Sequence, residues 1–298
     1  MSIAVFATRR RVSVEPLRLA THAALAVASI VMAAPFLWMV STSLKPDDQI
    51  FVFPPQWIPR VWEWGNYAHA MQVAPFALYF RNTGIYALGV LVCQLVLCSM
   101  AGYAFARLPF PGHRIVFIAV LATMMVPGQM LLIPLFVMLK HVPLAGGNDL
   151  LGNGGNGWLD SFPGLIVPQA VTAFSIFMMR QFFLTLPGEL ADAARIDGAS
   201  EAQIFWRIML PLTKPALATL AIITFQNAWN DFLWPLIVTD TEATRTLQLG
   251  LQVFQDQNNT DWALLMAATT LASLPIVVAF LIGQRYLVRG IALTGLKG

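Results

Sequence analysis

Few residues in this chain could do chemistry, and their spacing excludes most of it. The four histidines, His22, His69, His113 and His141, stand singly, and no H-E-x-x-H pair with zinc-binding spacing occurs. Gly198-Ala199-Ser200-Glu201-Ala202 comes near the G-x-S-x-G turn that exposes a nucleophilic serine, but it ends in alanine and follows no strand. The glycine segment "AGGNDLLGNGGNGW" from Ala145 to Trp158 lacks the G-x-x-x-x-G-K-[ST] spacing that cradles phosphates. Cys93 and Cys98 fall inside one apolar run, where thiols act as small apolar fillers and imply neither a disulfide framework nor a metal site. No catalytic or metal-binding set emerges, and the reading is that this chain is not an enzyme.

Two places remain. One is Asp231 in "NAWNDFLWPL", an acid inside an otherwise apolar stretch with Asn227 and Asn230 beside it. It reads either as a carboxylate hydrogen-bonded to those neighbours or, with them, as a pathway residue that contacts a polar solute. The other is "ELADAARIDGASEAQIFWRIMLPL", Glu189 to Leu212, which gathers four acids and two bases in a chain where charge is scarce.

The elements that must position these residues follow from composition. The 298 residues are 57% hydrophobic and 11% charged, where a soluble domain carries roughly a quarter charged residues. Runs free of Asp, Glu, Lys and Arg reach the roughly 20 residues needed to cross a bilayer as a helix. Six spans are expected, at about 18–42, 82–107, 115–139, 162–183, 212–238 and 262–285, the fifth interrupted by Lys214 and Asp231. The first run follows Arg9, Arg10 and Arg11 as a signal peptide would, but continues too far for a signal core and reads as a retained anchor.

Basic residues collect on cytoplasmic loops. Placing both termini inside puts 13 of the 18 there, Arg9, Arg10, Arg11, Arg18, Arg107, Arg114, Arg180, Arg195, Arg207, Lys214, Arg285, Arg289 and Lys297, against Lys45, Arg60, Arg81, Lys140 and Arg245 outside. The net charge of +3 thus sorts by membrane side and does not mark a nucleic-acid surface. The outward segments are an aromatic, proline-rich connection with Trp57, Trp62 and Trp64, expected to lie at the interface, the glycine segment, expected to be flexible, and the polar stretch Thr239–Thr260. Pro127, Gly128 and Pro134 should bend the third span.

The segment 185–211 then becomes the longest cytoplasmic loop. Pro187, Glu189 and Asp192 suit the start of a helix, Gly198 its C-terminal cap, and Ser200 with Gln203 the capping box of a second helix that Pro211 ends. Ala191, Ala193 and Ala194 give a small-residue surface, and Ile196, Ile204 and Phe205 an apolar knob. A hairpin of this kind suits either docking in a groove of another protein or capping the bundle.

Asp192-Ala193-Ala194, Gly198, Ile208, Leu210 and Pro211 have the spacing E-A-A-x3-G-x9-I-x-L-P, apart from aspartate at the leading glutamate. This resembles the signature of permease subunits of binding-protein-dependent ATP-binding cassette importers. "SLKPDDQIF", "PPQWIP", "FMMRQFF", "ARIDGASE", "WNDFLWPL" and the ending "RYLVRGIALTGLKG" extend the resemblance over nearly the whole chain, to the second permease subunit of the maltose-type carbohydrate systems.

The resemblance implies an all-α membrane protein of the type I importer permease fold, set in a bacterial inner membrane with both termini cytoplasmic. It implies that the loop is a coupling helix seated in an ATPase, through Asp192, Ala193, Ala194, Arg195, Asp197, Gly198, Ala199, Ser200, Ile204, Ile208, Leu210 and Pro211. Its implied partners are a second, non-identical permease, two ATPase subunits that carry ATP and Mg, and an extracytoplasmic solute-binding protein. No cofactor falls to this chain, and the tail Gly290–Gly298 is a further implied ATPase contact. The competing classes are an ion-coupled transporter acting alone, which should show paired intramembrane carboxylates, and a membrane scaffold that uses the loop only to bind a partner.

Overall fold

The computed structural model describes residues 14–255 and 260–294, with side chains from 18 to 285 within them. Arg9, Arg10, Arg11, Lys297 and the end of the tail lie outside the described residues. The chain is helical; among the described residues the single piece of β pairing is a bridge between Gln255 and Thr260.

Among the described residues three helices are long and apolar enough to cross a membrane: α1 (Val14–Ser43), α3 (Phe76–Arg107) and α13 (Trp262–Thr294). Short helices, α2 (Gly65–Val73) and α12 (Leu247–Gly250), precede α3 and α13. Three bent pairs follow α3. These are α4 (His113–Met125) with α5 (Gly128–Lys140) at 96°, α6 (Phe162–Gln169) with α7 (Ala173–Thr185) at 47°, and, beyond α8 (Glu189–Ile196), α9 (Glu201–Leu212) with α10 (Lys214–Trp229) at 79°. Taking each bent pair as one crossing gives up to six. Large apolar side chains on α1, such as Leu25, Ile30 and Phe36, are exposed, as expected of a surface solvated by lipid tails.

The breaks have local causes. The chain turns between α4 and α5 at Val126-Pro127, where proline lacks the donor that would continue the helix; Pro134, also expected to bend this stretch, sits inside α5 without ending it. The expected fifth span is interrupted. After Trp229 the chain leaves the helix, and Asp231 Oδ1 accepts from the Trp234 backbone N–H at 3.3 Å as α11 (Leu233–Val238) begins. Pro211 lies inside the last turn of α9, which ends one residue later.

Two apolar clusters form the core. One packs Phe76, Tyr79, Trp229, Trp234 and Phe254 with the small residues Ala267, Ala268 and Ala272 of α13. The other packs Tyr103, Met179, Phe183, Ile204, Phe205 and Met209 around the hairpin. A polar layer separates them. Down α10, Leu220 belongs to the hairpin cluster, Thr224 to the polar layer and Ala228 to the far cluster, one face of a helix at spacings of four.

The outward segments are built rather than loose. In the glycine segment, Asn148 Nδ2 donates to the Lys140 and Val142 carbonyls at 2.7 and 2.9 Å, while Asn148 Oδ1 accepts from the Gly155 N–H at 2.7 Å. A Cβ at Gly146 or Gly155 would strike backbone, so these glycines permit close packing; the expectation of a flexible loop is corrected. Asp160 clips this segment to the next one, accepting from the N–H groups of Asp240 and Thr241 and the hydroxyls of Thr241 and Thr244. Lys45 is fully buried, its Nζ 2.6 Å from the Gln56 carbonyl and 4.1 Å from the centre of the Trp38 ring. Trp57, Trp62 and Trp64 remain exposed beside this knot.

Candidate functional site: a polar cavity and a capped hairpin

The hairpin forms because its signals are local. At the end of α8 the Gly198 N–H donates to Arg195 O at 3.0 Å and the Ala199 N–H to Ala194 O at 2.9 Å. This pattern closes a helix on a left-handed residue, and Gly198 has φ of +83°. Two residues on, Ser200 Oγ accepts from the Gln203 N–H while the Gln203 side chain accepts from the Ser200 N–H, a complete capping box. Nothing lies within 4 Å of where a Gly198 side chain would begin, so the corner projects into open space.

The faces of the hairpin are sharply divided. Ala191 and Ala194 are buried against the cluster beneath, whereas Asp192, Ala193, Asp197 and Pro211 are exposed and Ile196 is 87% exposed. Ile208, Leu210 and Ala199 are half-buried. The expected apolar knob is corrected: Ile204 and Phe205 turn inward, at 0% and 5% exposure, and only Ile196 of the three stands out. Ile204 therefore anchors the hairpin to the bundle in this conformation.

A chain of polar contacts fixes the hairpin to α3. Arg195 donates from Nη1 to Asp192 Oδ1 at 2.7 Å and from Nε to Glu201 Oε1 at 2.6 Å; the other Glu201 oxygen accepts from Tyr103 Oη at 2.9 Å. The Arg195 guanidinium holds the Glu201 carboxyl below the usual carboxylate range, and Glu201 in turn raises Arg195. Such half-exposed ion pairs contribute at most about 1 kcal/mol each, so their effect lies in orientation. Arg107 reaches from the end of α3 to the carbonyls of Phe183 and Leu186, satisfying groups left open at the end of α7.

The second feature is a cavity of about 510 Å³ in the polar layer between α3, α7 and α10. Asp231 and Asn227 line it, as do Tyr86, Gln94, Gln169 and Thr172. Asn230 is not among the lining residues; its side-chain oxygen accepts from Gln248 Nε2 at 3.3 Å. Asp231 finds its partner across the bundle, in the Tyr86 hydroxyl at 2.7 Å, and not in the neighbouring asparagines. Gln94 holds the inner wall: its Nε2 donates to Gln169 O at 2.8 Å and its Oε1 accepts from Ser175 Oγ at 2.9 Å and Thr224 Oγ1 at 2.8 Å. The lining includes no Lys, Arg or His.

Sequence reasoning missed Tyr86, Gln94, Ser175 and Thr224, because it sought formal charges at membrane depth. Uncharged polar side chains in a charge-free run were the available signal. Tyr103, Glu201 and Arg107 were missed as a set because their contacts join segments far apart in sequence.

Bilayer-length helices, a polar cavity between them and a capped hairpin at one end define the class, a helical membrane protein built around a polar interior. The chain belongs to the family of inner membrane components of binding-protein-dependent transport systems, whose sequence model matches residues 95–293. It is 33% identical to the arabinooligosaccharides transport system permease protein AraQ of Bacillus subtilis, over 91% of this chain and 92% of that protein. It is 32% identical to the sn-glycerol-3-phosphate transport system permease protein UgpE of Yersinia enterocolitica, over 91% and 94%. A chain of a bacterial ABC transporter that imports the acidic polysaccharide alginate shares the fold, with a TM-score of 0.78 at 22% identity over 94% of this chain and 99% of that one. The chain is a permease subunit, a transport component and not an enzyme.

Proposed function

We propose that this chain forms one half of the translocation pathway of an ATP-driven sugar importer in a bacterial inner membrane. It crosses the membrane six times, at about 18–42, 82–107, 115–139, 162–183, 212–238 and 262–285, with both termini cytoplasmic, a topology supported by the 13 of 18 basic residues that it places inside. The loop 185–211 docks on one of two ATPase subunits, which hold ATP and Mg. A second, non-identical permease completes the pathway, and a solute-binding protein delivers to the outward segments.

The observation that carries this reading is the hairpin itself. It is doubly capped, anchored from below by Ile204 and Phe205, and presents Ile196, Ala193, Asp192 and the Gly198 corner to open space. A bundle cap would bury its apolar residues; this one leaves Ile196 out. The cavity wall supports the solute class. Amide and hydroxyl groups beside Phe174 and Tyr86 suit a sugar, and a wall with Asp231 and no cation suits an uncharged one better than a phosphate or uronate.

The test is reconstitution with the ATPases, sister permease and binding protein, measuring ATPase stimulation and uptake with arabinooligosaccharides and with sn-glycerol 3-phosphate as probes. Stimulation should be lost in Gly198→Glu and Asp192→Lys. Full stimulation and uptake in both variants would overturn the docking role, and transport of the phosphate in preference to the sugar would overturn the solute class.

A further inference from the structure

We infer that the half of α3 nearest the hairpin, Ser99–Arg107, carries hairpin movement to the cavity, with Tyr103 and Arg107 as positioning residues and the turn Gln94–Cys98 as its joint. The inference rests on the docking role proposed for the hairpin and concerns what happens once it is docked.

Three sets of contacts make Ser99–Arg107 one body with the hairpin. Arg107 grips the strand of chain that enters the loop, through the carbonyls of Phe183 and Leu186. Tyr103 grips the strand that returns, through Glu201 at 2.9 Å, and its ring packs against Phe183 and Phe205 with centroids 5.5 and 5.3 Å away. Against α7 there is no room to slide: a Cβ at Gly102 would press on Met179 Cβ and the Arg180 backbone, and Arg180 Nε donates to Phe105 O at 3.2 Å. Side chains packed this closely shift as a unit rather than deform.

The unit ends at a defect in the helix. Gln94–Cys98 is a π turn, a single widened turn whose hydrogen bonds depart from the α-helical ladder, of the kind at which helices bend. Gln94, its first residue, is the side chain that ties Gln169, Ser175 and Thr224 together at the cavity wall. Gln94 lies across that turn from Tyr103 and Glu201, so movement of the rigid segment reaches the cavity wall through the turn, at the Gln94 hydrogen bonds to Gln169, Ser175 and Thr224. The return helix carries a second π turn, Phe205–Met209, on the other side of the same packed block.

Hydrogen exchange on the assembled complex, with and without ATP and vanadate, tests this. In the unaltered chain, addition of the ATPases should protect 189–204, and nucleotide trapping should change exchange across 88–98. In Tyr103→Phe, which keeps the ring, and in Glu201→Gln, protection of 189–204 should persist, with thermal stability lowered by no more than the lost hydrogen bond. The nucleotide response of 88–98 should weaken about tenfold, the equilibrium weight of one hydrogen bond to a charged group. A merely structural role predicts the same small loss of stability with the response intact, and an unchanged response at 88–98 in both variants would overturn the inference. Failure of the docking reading is separately visible, as absence of protection at 189–204 in the unaltered complex.

Discussion

Tyr86 and Asp231 lie 145 residues apart in the chain and 2.7 Å apart in space, hydroxyl to carboxylate, across the polar cavity. Tyr86 is almost fully buried, and Asp231 is the acceptor its hydroxyl finds there. Tyr86→Phe should lower stability by about 2 kcal/mol, the cost of removing a donor to a charged group. The measurement is thermal unfolding in detergent. Asp231→Asn retains an acceptor and should lose less, and a larger loss in the asparagine variant would show that the pair is not the source of the effect.

Gln94 carries three hydrogen bonds from three segments. Gln94→Leu leaves the Ser175 and Thr224 hydroxyls and the Gln169 carbonyl without this partner and should cost about 3 kcal/mol. Unfolding of the purified chain reads the cost, and uptake should fall further than stability, because the same residue forms the cavity wall.

The positive φ of Gly198 and the open space around it separate two effects that usually come together. Gly198→Ala should cost about 1 kcal/mol in backbone strain and leave ATPase association within a few-fold of normal. Gly198→Glu carries the same strain plus a side chain in the docking space and should abolish association. Co-purification of the ATPase in parallel with thermal unfolding resolves the two; equal loss of association in both would make strain alone responsible.

Acid should loosen the outward face at Asp160. Burial pushes its carboxyl up, but the hydroxyls of Thr244 and Thr241 and the N–H groups of Asp240 and Thr241 outweigh this and hold it below its ordinary value. A depressed carboxylate contributes stability that is complete above the unfolded value, around pH 4, and is lost as pH falls through the folded one. Limited proteolysis of the segments around 145–160 and 239–246 should accelerate below that pH in the native chain. Asp160→Asn should be susceptible at all pH values and lose the acid step.

The hairpin was legible because everything that shapes it is local. Ser200 and Gln203 are three residues apart and Gly198 ends the helix it follows, so cap chemistry can be read along the chain. What packs beneath it was not. Ile204 is buried by Tyr103, Met179 and Phe183, from two other helices, and spacing assigns a residue to a face without saying which face another segment covers. The cavity failed to show for a different reason. Gln94, Ser175 and Thr224 carry no formal charge, and apolar runs were defined by the absence of charge alone. The break near Asp231 had a signal that went unread: an acid three residues before Trp234, with Pro235 following, has the form of a helix start.

The first long helix makes its extensive contacts with the last, α1 against α13, from opposite ends of the chain. During synthesis α1 enters the bilayer more than two hundred residues before its partner exists. It must wait in lipid on its own apolar surface, which is exposed over most of 18–40. Only its end has an earlier partner, where Ser43 meets Tyr67 of α2; the lipid-facing length gains its neighbour once α13 is made, so the pairing of α1 with α13 is a late event in assembly of the bundle.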